Sequence, residues 1–165
     1  IDKVKAKINN LDVIRKALEV ISKDEAARTC TSLIETSVPD LVVAFQRLCE
    51  CVYPQIEGAK PLKRNVFQRL DDGNKLWHDL VGKGYDDWIT DVQYAKLRKC
   101  FQQRHLLQHQ DGIVDQDYIS KSGDVSYQVG QHLIIKPEDI TEYAGIVETL
   151  GKQVLALLEE VKVNE

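Results

Sequence analysis

Several features that usually betray a protein's chemistry are missing from this 165-residue sequence. Its nine glycines are scattered, and none falls in a Walker or dinucleotide-binding spacing, so no phosphate-cradling loop is expected. No serine stands in a nucleophile-elbow pattern. No apolar run approaches the ~20 residues that span a bilayer, which excludes a membrane helix. No charged-then-apolar leader opens the chain, so export is not expected. The four cysteines, Cys30, Cys49, Cys51 and Cys100, lack the regular spacing of a disulfide framework. Cys49 and Cys51 also lack a second Cys or His pair at zinc spacing. All four are expected as reduced, mostly buried thiols of a cytoplasmic protein.

What remains is ordinary for a soluble globular domain: 43% apolar and 29% charged residues, in a chain long enough to build one core. A single domain over 1–165 is expected, with no linker long enough to divide it. The net charge of −4 argues against a histone-like binder of nucleic acid. The distribution of charge is more informative. Val92 to Gln110 contains no acid but carries Lys96, Arg98, Lys99 and Arg104. Gly58 to Leu70 is likewise acid-free and carries Lys60, Lys63, Arg64 and Arg69.

The apolar periodicity is helical almost throughout. Ile1, Val4, Ile8, Leu11, Ile14, Leu18 and Ile21 form one stripe about six turns long. A helix is expected over 24–36, with acids at its positive end. Pro39 is expected to open another that ends near Pro54. Further helices are expected over 62–81, 91–110 and 137–161, with Gly112 ending the second of these in the left-handed conformation. A short helix is expected near 115–122. Tyr127 to Ile135 alternates and predicts an extended segment or small hairpin. The expected fold is all-α, a bundle of five to six helices with a small extended insert before the last. Trp77 and Trp88 are expected in the core, and His78 and His132 are assigned no chemistry.

Two of the four histidines stand in Arg104-His105-Leu106-Leu107-Gln108-His109. Three readings are open. His105 and His109, four apart, share a helix face and could begin a metal site, but two ligands do not make one. Arg104 could pair with a carboxylate while the imidazoles pack or face solvent. Or Arg and His could act on RNA. An Arg–His pair at this spacing arises readily by chance among seven arginines and four histidines. Its position gives it weight: late in a long helix, inside an acid-free segment.

The hexapeptide resembles the signature of HEPN domains (higher eukaryotes and prokaryotes nucleotide-binding): Arg, a polar residue, three variable residues, then His. His109-Gln110-Asp111-Gly112-Ile113-Val114-Asp115 through Tyr118, Tyr127-Gln128-Val129-Gly130, and Asn65-Val66-Phe67-Gln68-Arg69-Leu70-Asp71 are similar to segments of bacterial members. The likeness covers roughly Leu62 to Ile135. It implies a helical bundle that homodimerises, so that Arg–His segments of two protomers meet at one composite site. It further implies a metal-independent endoribonuclease without a cofactor, acting in bacterial stress, as a toxin with an inhibitory antitoxin, or in an antiviral defence complex. Arg104 and His109 become the catalytic pair, with His105 in the polar position after the arginine. The alternative is a non-catalytic HEPN-like module that binds RNA, nucleotide or a protein partner.

The residue types suit that chemistry in their own right. Attack of a 2′-OH on the adjacent phosphate needs a base near neutrality, and an ordinary imidazole has a pKa of about 6.5. It needs fixed positive charge for the transition state, which the arginine fork supplies. Residues five apart lie about 140° around a helix, so Arg104 and His109 cannot share one face. A two-fold dimer removes that difficulty. If the helices over 62–81 and 91–110 are antiparallel neighbours, Lys63, Arg64 and Arg69 come close to Arg104 as RNA-binding residues.

Overall fold

A computed structural model of the chain describes residues 1–163, with side chains through Glu159. The described residues form eight α-helices: α1 Asp2–Asn9, α2 Leu11–Glu19, α3 Lys23–Val52, α4 Leu70–Val81, α5 Tyr85–Trp88, α6 Asp91–His109, α7 Gln116–Ser122 and α8 Pro137–Val163. Single 3-10 turns lie at Tyr53–Gln55 and Val66–Gln68. The all-α expectation holds. The helix count exceeds the expected five to six, because chain breaks and one-turn helices are poorly marked by periodicity. No described helix is long and apolar enough to cross a membrane.

The 30-residue α3 is the spine of the bundle, packing against α1, α2, α6 and α8. Pro39 does not open a helix; it lies in the middle of α3. A proline removes one backbone donor and crowds the preceding turn. Here the hydroxyls of Thr36 and Ser37 bond the carbonyls of Ser32 and Leu33 at 2.8 and 2.7 Å, just before the interruption. Ile34 and Val38 on one side, and Leu41, Val42 and Phe45 on the other, are all buried. Burying such side chains is worth about 1.5–3 kcal/mol each, enough together to carry the helix through a proline. The true start of α3 is Ser22, whose Oγ accepts from Glu25 N–H.

The six-turn stripe expected over 1–21 is also corrected. It breaks at Asn10, whose side-chain amide bonds the Ala6 carbonyl at 2.9 Å, so two short helices replace one long one. Val4 and Leu11 are buried, but Ile21 is exposed.

The helix expected over 62–81 begins only at Leu70. Asn65 takes a left-handed φ of 56°, and the 3-10 turn that follows buries Val66 and Phe67. The apolar spacing of that stretch is therefore satisfied without a regular helix. Within α4, Gly73 has a packing reason. A Cβ there would meet the Tyr85 hydroxyl at 2.8 Å and the Phe67 ring at 3.0 Å. Those rings belong to an aromatic cluster with Phe45, Tyr53, Trp77 and Trp88. Trp77 is fully buried and its indole N–H donates to Tyr85 Oη at 3.2 Å, so it is a core residue.

The extended segment before α8 is not a hairpin. It makes one isolated bridge, His132 opposite Ile113. Leu133 N–H donates to the Gly112 carbonyl and Val114 N–H to the Gln131 carbonyl, at 2.8 and 2.9 Å. The alternation is half real: Leu133 and Ile135 are buried, whereas Val129 is exposed. The segment is bound to the chain just after α6, which fixes the end of that helix.

Candidate active site

α6 begins with a reciprocal cap. Thr90 Oγ1 accepts from Gln93 N–H at 3.2 Å, and Gln93 Oε1 accepts from Thr90 N–H at 3.0 Å. Leu97, Cys100, Phe101 and Leu106 turn inward. The helix ends as expected, with Gly112 at φ +73° and its N–H donating to the Leu106 carbonyl at 3.1 Å.

The cations of α6 have three different partners along its length. Lys96 is paired with Glu142 of α8. Arg98 approaches Asp71 of α4 at 3.9 Å and lies over the Tyr94 ring, 5.2 Å from its centroid. Lys99 meets Asp124 at 2.8 Å, beyond the end of α7. Asp124 also accepts from the Tyr118 hydroxyl at 2.8 Å and from Ser126 N–H at 3.1 Å. Burial disfavours its charge, but the bonds from Lys99, Ser126 and Tyr118 outweigh that and hold the carboxyl down at about 2. The acid-free segment therefore does not form a continuous basic face. Distant parts of the chain supply its acids.

Arg104 differs. Its Nη2 donates to Gln68 Oε1 at 2.9 Å, and it has no carboxylate partner among the described residues. Its Nε is buried without a hydrogen-bond partner. Burial draws its pKa below the ordinary arginine value, although an arginine stays charged in any such setting. Arg104 lines an open cleft of about 610 Å³ between the start of α4, α6 and the end of α7. Arg69, Arg98 and Lys121 share that cleft, against Asp71 and Asp72. Arg69 pairs with Asp72, and Lys121 with Asp117 at 2.7 Å. Among the cleft's cations, Arg104 is thus the one with no acid partner in the described residues.

His105 also lines the cleft. His109 lies one turn further along the same face, exposed and outside the cleft, with ring centroids 5.1 Å apart and planes at 51°. Arg69 joins Arg104 as the charge pattern suggested, but Lys63 and Arg64 do not. Both are exposed in the irregular chain before the 3-10 turn and do not line the cleft. Because no helix begins at Leu62, nothing directs them toward α6. Gln68, Arg98, Ser120 and Lys121 were not singled out from the sequence for this site. Gln68 sits inside the Asn65–Asp71 segment of the resemblance, but α7 carried no comparable signal.

Elsewhere, donor atoms of His78, Asp86 and Asp87 lie within 4.8 Å of one another. Their contacts account for them: His78 Nε2 meets Asp86 Oδ1 at 2.7 Å, and Asp87 Oδ2 accepts from Gly84 N–H at 2.9 Å. They clamp the turn between α4 and α5. Comparison with protein-family models, curated proteins and solved structures finds no match for the chain.

Proposed function

We propose that the protein is a metal-independent, HEPN-type endoribonuclease that cleaves RNA by attack of the 2′-OH on the adjacent phosphate. The observation that carries this reading is Arg104: a half-buried guanidinium beside an open cleft, held by a neutral amide and by no described carboxylate. Such a group keeps its charge available for a phosphate and for the additional charge of a phosphorane-like transition state. His105 and His109 are exposed on the adjacent face and supply the imidazoles that proton transfer requires. His109 serves as the base. In a two-fold dimer, Arg104 of one protomer and His109 of its partner complete a site that a single straight helix does not. The products are a 2′,3′-cyclic phosphate and a 5′-OH.

On this reading the partners are RNA, a second copy of the chain, and an inhibitory antitoxin or larger defence complex in a bacterial cell. The cytoplasm is the fitting compartment, since thiols such as the four free cysteines stay reduced there. A second reading, a non-catalytic module that binds RNA, nucleotide or a protein partner, is favoured by the pairing of Arg69, Arg98 and Lys121 with acids.

The test is cleavage of a mixed RNA pool by purified protein in EDTA. Cleavage that leaves 5′-OH ends and is lost in Arg104→Ala and His109→Ala supports the nuclease. RNA binding without cleavage by a folded dimer supports the second reading. Equal cleavage by all three proteins would overturn the assignment of the pair.

A further inference from the structure

The nuclease reading leaves one proton without a donor. The 2′-OH loses a proton to a base, and the departing 5′-oxygen must gain one. Arg104 does not give up its proton near neutrality. We infer that His105 is the general acid of the reaction and that His105 and His109 of one protomer act as an acid–base pair on a single phosphodiester. This inference rests on the nuclease reading.

Three observations carry it. First, His105 lines the same cleft as Arg104. Second, the two rings occupy successive turns of one helix face, with centroids 5.1 Å apart and neither plane stacked flat on the other. In-line displacement places the attacking and leaving oxygens on opposite sides of one phosphorus, a few ångströms apart. Two imidazoles at this separation can each reach one of them, whichever protomer supplies Arg104. Third, neither ring takes a hydrogen bond or ion pair from a described side chain or backbone group, so the nitrogens are free to exchange protons. Asp117 of α7 stands on the His105 side. Its carboxyl is held below the ordinary range first by Lys121 and in smaller part by the charge of His105. Asp117 thus places a negative charge near His105.

The step balances without a co-reactant. The 2′-oxygen bonds to phosphorus as its proton passes to the neutral His109 imidazole. The bond from phosphorus to the 5′-oxygen breaks, its electron pair stays on that oxygen, and the His105 imidazolium supplies the proton. Solvent then returns both rings to their starting states.

The test uses the full chain and two matched dinucleotides, one ordinary and one with sulfur replacing the bridging 5′-oxygen. A thiolate leaves without a proton, so a missing acid should matter only for the oxygen substrate. His105→Ala is expected to slow the oxygen substrate by about 100-fold or more, within the range of a lost acid or base. On the sulfur substrate it should come within about 10-fold of wild type, whereas His109→Ala should lose both. His105 is exposed, so its truncation leaves the core untouched, and His105→Asn, which also cannot transfer a proton, should repeat the pattern. Normal cleavage of the oxygen substrate by His105→Ala, or equal losses on both substrates, would overturn the acid role and leave the nuclease standing. Rescue of His109→Ala alone would show the two roles reversed and overturn the assignment. If wild type cleaves neither substrate, the nuclease reading itself fails and this inference fails with it.

Discussion

Both halves of α6 carry cations, three in the first and one in the second, and these have opposite fates in the fold. In the first half Lys96, Arg98 and Lys99 each meet an acid from another part of the chain. In the second half Arg104 meets an uncharged amide, and His105 and His109 face outward. The difference teaches that an acid-free run marks cations, not their availability. Availability is decided by where the fold delivers carboxylates. Glu142 reaches Lys96 across 46 positions, yet no described acid reaches Arg104. The paired half ties α6 to α4, to α8 and to Asp124 just beyond α7.

Breaking this contrast should produce a graded set of effects. The largest is expected for Arg104→Ala, which should lower RNA cleavage by about 100-fold or more, as loss of a transition-state charge donor does. Its urea midpoint should stay within error of wild type, because the variant removes a half-buried charge that no carboxylate compensates. Kinetics and denaturation on one preparation check both parts.

Asp124→Ala should cost about 3 kcal/mol in urea unfolding, since it strands Lys99 and the buried Tyr118 hydroxyl. The same residue sets an acid sensitivity. The folded protein holds its carboxyl at about 2, against an ordinary 3.8, so the unfolded chain binds the proton more readily. Its contribution is full above about pH 4 and is lost as the pH falls toward 2. Wild type should therefore lose more stability than Asp124→Ala across that window, and a pair of acid titrations followed by circular dichroism would show it.

On the nuclease reading, Gln68→Ala should reduce cleavage by about 10-fold while leaving RNA binding nearly intact, because it frees the guanidinium from the orientation that Gln68 gives it. Separate measurement of kcat and KM distinguishes this from lost affinity. The smallest effect belongs to Lys96→Ala. Its pair with Glu142 is on the surface, so the change should stay within about 0.5 kcal/mol in stability and leave cleavage unaltered.

The sequence made the core legible where packing follows periodicity. The bounds of α6 and the positions of α7 and α8 follow from apolar spacing and a glycine stop. It misled where tertiary packing overrides a local signal. Pro39 reads as a helix start, but its neighbours on both sides are buried in one continuous helix. Asn10 carries no strong breaking signal, yet its side chain caps the preceding turn and splits the first stripe. The candidate site divides in the same way. Arg104, His105 and Arg69 were legible from residue type and charge, and they line one cleft. Lys63 and Arg64 were expected there on the strength of a helix that the left-handed Asn65 prevents. Gln68 meets Arg104 across 36 positions, and pairing over such a distance leaves no periodic trace.

The central claim is that Arg104 is available to a phosphate while the other cations of α6 are held by the fold. The most direct test is binding of a 2′-O-methylated RNA strand, which cannot be cleaved, to wild type, Arg104→Ala and Lys96→Ala over a range of salt. Replacement of Arg104 is expected to weaken binding and lower the salt slope by about 1, as loss of one phosphate contact does, while Lys96→Ala should bind as wild type. Equal weakening by the two variants would mean that RNA senses only diffuse charge, and would contradict the claim.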